Sequence, residues 1–275
     1  MIHLEFIKLG GSLITEKDRP GTPRLEVLAR LAGEIAAALN GDETLRLIVG
    51  HGSGSFGHVP AQQYGTRSGV HTPGEWLGFA EVWQQAAQLN HMVVDALVKA
   101  GLPTIAFPPS SSVIAKDGKA VHWDLSPIHA ALKASLLPVI YGDVVFDTVR
   151  GGTILSTEDL FSYLAPQLLP QRILLAGIEA GVWADYPQRK RLVGEITRDT
   201  LSRVAPGLEG SAATDVTGGM ASKVQLSLEL VSQLPQLQVL IFSGEQPGFV
   251  RQALSGERIG TLVSGHLLHP TDCDD

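Results

Sequence analysis

The chain has 275 residues, 44% of them hydrophobic, and its 21 Lys and Arg against 28 Asp and Glu give a formal net charge of −7. Such a length buries a sizeable core, in one large α/β domain or two modest lobes, and the composition excludes wholesale disorder. The acidic balance argues against a nucleic-acid surface, which needs a basic face. Cys273 is the single cysteine, which rules out an intrachain disulfide framework and fits a reducing cytosol. No signal-peptide pattern opens the chain and no apolar run is long enough to cross a bilayer, so a soluble, cytoplasmic protein is expected.

His3 to Leu9 reads as a strand that breaks at Gly10-Gly11. Arg24 to Leu39 repeats apolar residues at helical spacing. Leu45 to Val49 is a second strand, leading into the loop Gly50-His-Gly-Ser-Gly-Ser-Phe-Gly-His58. Pro60, Gly65 and Gly69 follow that loop, so no clean helix is expected there. Glu75 to Ala100 is a long helix stopped by Gly101. Thr104 to Phe107 is a short strand, and Val113 to Trp123 folds as a hairpin about Asp117-Gly118. Ser126 caps a helix with Pro127 at its first position. Pro138 to Phe146 is one strand, and Thr157 starts another helix. Ile173 to Ala176 and Val239 to Phe242 are buried strands, separated by a helix from Gly219 to Leu234. This alternation predicts an α/β sandwich around a mostly parallel sheet. Two prolines, Pro166 and Pro170, place a seam between an N-terminal lobe, 1–167, and a C-terminal lobe, 168–275, within one continuous domain.

Three glycine loops carry the chemistry: Lys8-Leu-Gly10-Gly11-Ser12, the loop from Gly50 to His58, and Thr214-Asp-Val-Thr-Gly218-Gly219-Met-Ala-Ser-Lys223. Glycines let backbone N–H groups approach an anion, and a helix N-terminus adds a favourable dipole. Gly52 to Gly57 also spells G-x-G-x-x-G. A dinucleotide site, however, needs a helix opening at the glycines and an acidic residue at the end of the next strand. Neither a Walker motif nor the protein-kinase set occurs, and no H-E-x-x-H or C-x-x-C spacing marks a zinc site. Two lysines beside glycine loops, in a chain poor in lysine, point to phosphoryl transfer on another scaffold. A ligand-free glycine turn and a non-catalytic anion-binding protein are the plainer alternatives.

"KLGGS", "HGSGSFGH", "PVIYGDVV" and "TDVTGGMASK" together resemble the amino acid kinase superfamily, and within it the isopentenyl phosphate kinases. The resemblance implies a three-layer αβα fold, an acceptor-binding N-terminal lobe, an ATP-binding C-terminal lobe and a homodimer. It implies ATP and isopentenyl phosphate as substrates, with Mg²⁺ on the nucleotide. A phosphonate or another small monophosphate is the alternative acceptor. By resemblance, Lys8, Lys17, His58 and Asp159 form the catalytic set, with Asp159 orienting the lysines. Gly52, Ser53, Gly57 and His58 would hold the acceptor. Lys8, Gly10, Gly11, Ser12, Gly54, Gly181, Asp185, Gly218, Gly219 and Lys223 would hold ATP. His51 is expected to pack the loop. Gly177 to Trp183 lacks both aspartates usual at that place, which leaves nucleotide preference open. Trp76, Phe79, Val82 and Trp83 form an apolar group on the long helix, from which one of Phe79, Val82 or Trp83 would close a prenyl pocket.

Overall fold

A computed structural model describes residues 2–201 and 219–265. An eight-stranded sheet runs in the order β10 (Glu195–Ile196), β12 (Thr261–Val263), β11 (Gln238–Ser243), β9 (Arg172–Gly177), β1 (His3–Leu9), β2 (Leu45–His51), β6 (Leu137–Tyr141) and β3 (Thr104–Ala106). Only the β11–β12 pair is antiparallel. Its central strands send apolar side chains to both faces, because both faces are covered. Phe6, Ile48, Ile173, Val239 and Ile241 face one core. Ile7, Leu47, Val49, Leu174 and Leu240 face the other. The first core is closed by α5 (Ser126–Lys133), α6 (Thr157–Leu168) and α7 (Gly219–Gln233). The second is closed by α2 (Leu25–Gly41), α4 (Pro73–Lys99) and α8 (Phe249–Leu254). Helix, sheet and helix thus form the expected three layers.

Most elements fall where the periodicity places them. Thr72 and Glu75 form a capping box at the start of α4. The Asp117-Gly118 turn has positive φ at both residues and joins β4 (Val113–Lys116) to β5 (Lys119–Trp123). Ser126 opens α5, but its side chain does not cap the helix; Asp124 instead accepts its N–H at 2.9 Å.

Two further expectations fail. Pro138 to Phe146 is not one strand. It divides at Gly142 into β6 and β7 (Asp143–Asp147), which joins β4, β5 and β8 (Gly151–Leu155) in a separate four-stranded sheet. Gly142 spends its backbone groups on the glycine loop: its N–H donates to His51 O at 3.1 Å and its carbonyl accepts from Ser53 Oγ at 2.9 Å. The second failure is α3 (Gly54–Tyr64), which opens at the glycines despite Pro60. Tyr64 lies flat on Gly78 of α4, where a Cβ would stand 2.1 Å from its ring. Phe56 is buried as well. Tertiary packing overrides a poor intrinsic helix here.

Candidate active site

The first two glycine loops meet at the carboxyl ends of β1 and β2, where ligands bind in open α/β sheets. They touch main chain to main chain. A Cβ on Gly11 would stand 2.3 Å from Gly54 N, and one on Gly52 would stand 2.9 Å from Gly11 N. Gly54 has φ +51°, and its Cβ would strike Thr15 Oγ1. Thr15 Oγ1 itself accepts from Ser55 N at 3.0 Å and donates to Gly11 O at 2.9 Å. Only glycine permits this main-chain contact.

Lys8 ends β1 at 8% exposure and forms an ion pair with Glu158, at the start of α6. Burial opposes ionisation of Glu158, but Lys8 and then Lys223 outweigh it and hold the carboxyl below the usual range. Lys223 projects from the first turns of α7. Asp159, the residue expected to orient the lysines, does something else. It closes a capping box with Ser156, accepting the Ser156 N–H at 2.8 Å and its hydroxyl at 2.7 Å, and pairs with Arg67 at 3.3 Å. The signal was present in the sequence: Ser-x-x-Asp commits the aspartate to the helix end and leaves Glu158 to turn towards the lysines.

One cavity of about 550 Å³ collects most of the candidate residues. Lys8, Gly10, Gly11, Ser12 and Lys17 line it, as do Gly52, Ser53, Gly54 and Gly57, and Gly181, Gly219 and Lys223 from the second half of the chain. Val59, Ala61, Val82 and Ile154 supply an apolar wall. Of the three side chains proposed to end a prenyl pocket, only Val82 lines the cavity. Phe79 packs edge-on against Trp76 and at a tilt against Phe146, and Trp83 is 46% exposed.

His58 belongs to α3, between two cavity-lining residues, Gly57 and Val59; its side chain lies outside the described part of the structure. Gly218 lies outside the described residues. Asp185 is not brought to the cavity. It braces a turn, accepting the N–H groups of Lys190 and Arg191 at 3.2 and 3.0 Å.

At the far end the walls are side chains. Glu179 accepts from Trp183 Nε1 at 2.9 Å and pairs with Arg189 at 2.7 Å; Arg189 lies over the Tyr186 ring. Their uneven spacing in an irregular loop gave no sequence signal. Behind the phosphate end, His51 is fully buried, stacks on Tyr141, and reaches Gly52 O and Asn90 Oδ1, both at 3.2 Å. Burial pushes its imidazole down to about 4, so it is a neutral packing group, as expected. Burial also raises the neighbouring Asp143 to about 6, against hydrogen bonds from Ser110 and Val144. Lys8 and Lys223 beside the glycine loops, with the nearby Glu158 carboxylate already engaged by them, make a cationic end of the cavity suited to anions.

The amino acid kinase family matches residues 4–243, and the chain belongs to it. Within that family its relatives include isopentenyl phosphate kinases. That of Methanothermobacter thermautotrophicus is 34% identical over 273 residues, covering 94% of this chain and 98% of that protein. That of Methanocaldococcus jannaschii is 33% identical over 269 residues with the same coverage. Among solved structures, an isopentenyl phosphate kinase superposes with a TM-score of 0.80 at 30% identity, over 95% of this chain and 100% of that one. The fold and family expected from the glycine motifs are both borne out.

Proposed function

We propose that the chain is an ATP-dependent kinase that converts isopentenyl phosphate to its diphosphate. The observation that carries this reading is the convergence of Lys8, Lys17, Lys223 and the glycine loops on a cavity that also has an apolar wall. An oxygen of the acceptor phosphate attacks the γ-phosphorus of ATP, the bond to the β-phosphate oxygen breaks, and ADP leaves. A phosphate monoester has its second pKa near 6, so at neutral pH the nucleophile is already an oxyanion and no general base is needed. Lys8 and Lys223 stabilise charge on the transferring group, with Glu158 fixing their positions. Lys17 reaches the transferring group from the N-terminal side, and His58 holds the acceptor phosphate.

Residues 1–167 would bind the acceptor, and 168–275 the nucleotide. Among the described residues no three carboxylates or histidines cluster as a metal cage. With Glu158 engaged by lysines, that donor set fits Mg²⁺ arriving on the triphosphate, where it neutralises charge. A homodimer in a reducing cytosol completes the proposal; among the described residues no helix is long and apolar enough to cross a membrane.

The test is an ADP-release screen of purified protein against isopentenyl phosphate, other small monophosphates, phosphonates and carboxylates. The reading expects the highest kcat/KM for isopentenyl phosphate. A higher value for a phosphonate moves the assignment to that acceptor, and no ADP with any acceptor reduces the site to anion binding.

A further inference from the structure

Lys17 stands on a loop, Glu16 to Pro23, that contributes Lys17 and Pro20 to the lining of the cavity. The base of this loop is closed by Arg24 N donating to Ile14 O at 2.8 Å, Glu16 N to Thr22 O at 2.9 Å, and a bridge between Thr15 and Pro23. Its tip is held more thinly, by Gly21 N to Ser55 O at 3.2 Å. What fixes the base relative to the rest of the molecule is Arg24. The guanidinium donates to Leu13 O at 3.0 Å and grips both oxygens of Glu245, at 2.5 and 3.1 Å.

Glu245 belongs to the opposite half of the chain. It follows β11, where Gly244 N donates to Gly177 O at 2.8 Å and Ser243 Oγ to Ile178 O at 3.1 Å. Gly177 and Ile178 line the nucleotide side of the cavity. Arg30 adds a bond to Gly244 O at 2.7 Å. An unbroken line of contacts therefore runs from the wall beside the nucleotide, through Glu245 and Arg24, to the root of the Lys17 loop. A two-pronged arginine–carboxylate contact fixes orientation as well as distance, which a single point charge does not.

We infer that the Arg24–Glu245 pair is a latch between the two halves of the molecule that positions Lys17 against the bound nucleotide. Arg24 touches no reacting atom; it acts through Lys17. The inference rests on the proposed kinase function for Lys17, while the latch itself is a statement about the loop. Releasing the pair leaves the base hydrogen bonds in place but lets the loop swing, so Lys17 spends less time at the transferring group.

The experiment has two arms. In the first, limited trypsin digestion of the nucleotide-free protein follows cleavage after Lys17 by mass spectrometry, with cleavage after exposed Lys190 as an internal reference. Glu245→Gln leaves every tryptic site intact and is expected to speed the Lys17 cut by roughly fivefold with the Lys190 cut unchanged, because proteolysis tracks local opening. The second arm is a kinetic cycle of Arg24→Met and Lys17→Ala. Arg24→Met should lower kcat about tenfold with acceptor KM within about twofold, yet cost less than about twofold once Lys17 is already Ala. Equal losses in both backgrounds, which a merely stabilising contact gives, overturn the inference. An unchanged Lys17 cut in Glu245→Gln overturns it as well. If the wild-type protein turns over no acceptor, the kinase reading fails, and the digestion arm still decides whether the latch exists.

Discussion

At the phosphate end of the cavity the walls are main chain. Gly11, Gly52 and Gly54 bring two loops into contact that no side chain tolerates, with one buried lysine and one carboxylate behind them. At the opposite end, where the proposed function seats the nucleotide, the walls are side chains, Glu179, Trp183, Tyr186 and Arg189, tied to one another across an irregular loop. The first construction is unforgiving, since a methyl group anywhere in it collides with backbone. The second can exchange one packing for another. A substitution is therefore easier to absorb in Gly177 to Trp183 than in the glycine loops. The two ends should also fail differently: damage at the phosphate end should strike the chemical step, and damage at the nucleotide end should strike binding.

The largest effect is expected from Lys8→Met, which preserves bulk but removes the charge aimed at the transferring group. kcat should fall about 10³-fold, the upper end for losing one such donor. A loss confined to KM would break the contrast between the ends.

Next is a pH effect in the wall behind the phosphate end. Asp143 is raised from 3.8 to about 6, so the native state binds its proton more tightly, and the stability this gives is lost as pH rises from about 4 to 6. His51 is lowered from 6.5 to about 4, so its contribution runs the other way and is lost as pH falls through that same window. Each shift of roughly two units is worth about 3 kcal/mol, and the two oppose each other. Asp143→Asn should therefore lose about 3 kcal/mol more stability than the wild-type protein between pH 6.5 and pH 4, measured by urea denaturation. Parallel profiles would contradict the opposition.

Val82→Ala probes the apolar wall. Each methylene accepted or refused is worth about 1–3 kcal/mol, so the kcat/KM ratio of ten- to five-carbon prenyl phosphates should rise about tenfold. An unchanged ratio places the end of the pocket on Ile154 or Ala61 instead. The smallest effect is at the nucleotide end. Glu179→Gln should raise KM for ATP about threefold with kcat preserved, as loss of uniform binding does. A fall in kcat as large as that of Lys8→Met would erase the distinction between the ends.

These differences also explain what the sequence could disclose. Strands such as Gln238–Ser243 were legible because burial on both faces demands a continuous apolar run, here Val239 to Phe242. The phosphate loops were legible because close backbone contact demands glycine at fixed places. Gly142 hid a change of sheet, because one glycine within an apolar run looks like a bulge until its backbone partners are known. The α3 helix was hidden because its support, Tyr64 on Gly78, lies on another element. Glu158 and Asp159 are adjacent, and the Ser-x-x-Asp capping pattern, legible in the sequence, is what separates the one that reaches Lys8 from the one that closes the helix end.

The most direct test of the account follows phosphorus itself. Wild-type protein is mixed with ATP, Mg²⁺ and isopentenyl phosphate and observed by ³¹P NMR, with Lys8→Met alongside. The account predicts that the acceptor's single resonance gives way to the two coupled resonances of a diphosphate, in step with ADP, and that Lys8→Met shows neither on the same timescale. Inorganic phosphate released while the acceptor resonance stays intact, or equal conversion by Lys8→Met, would contradict it.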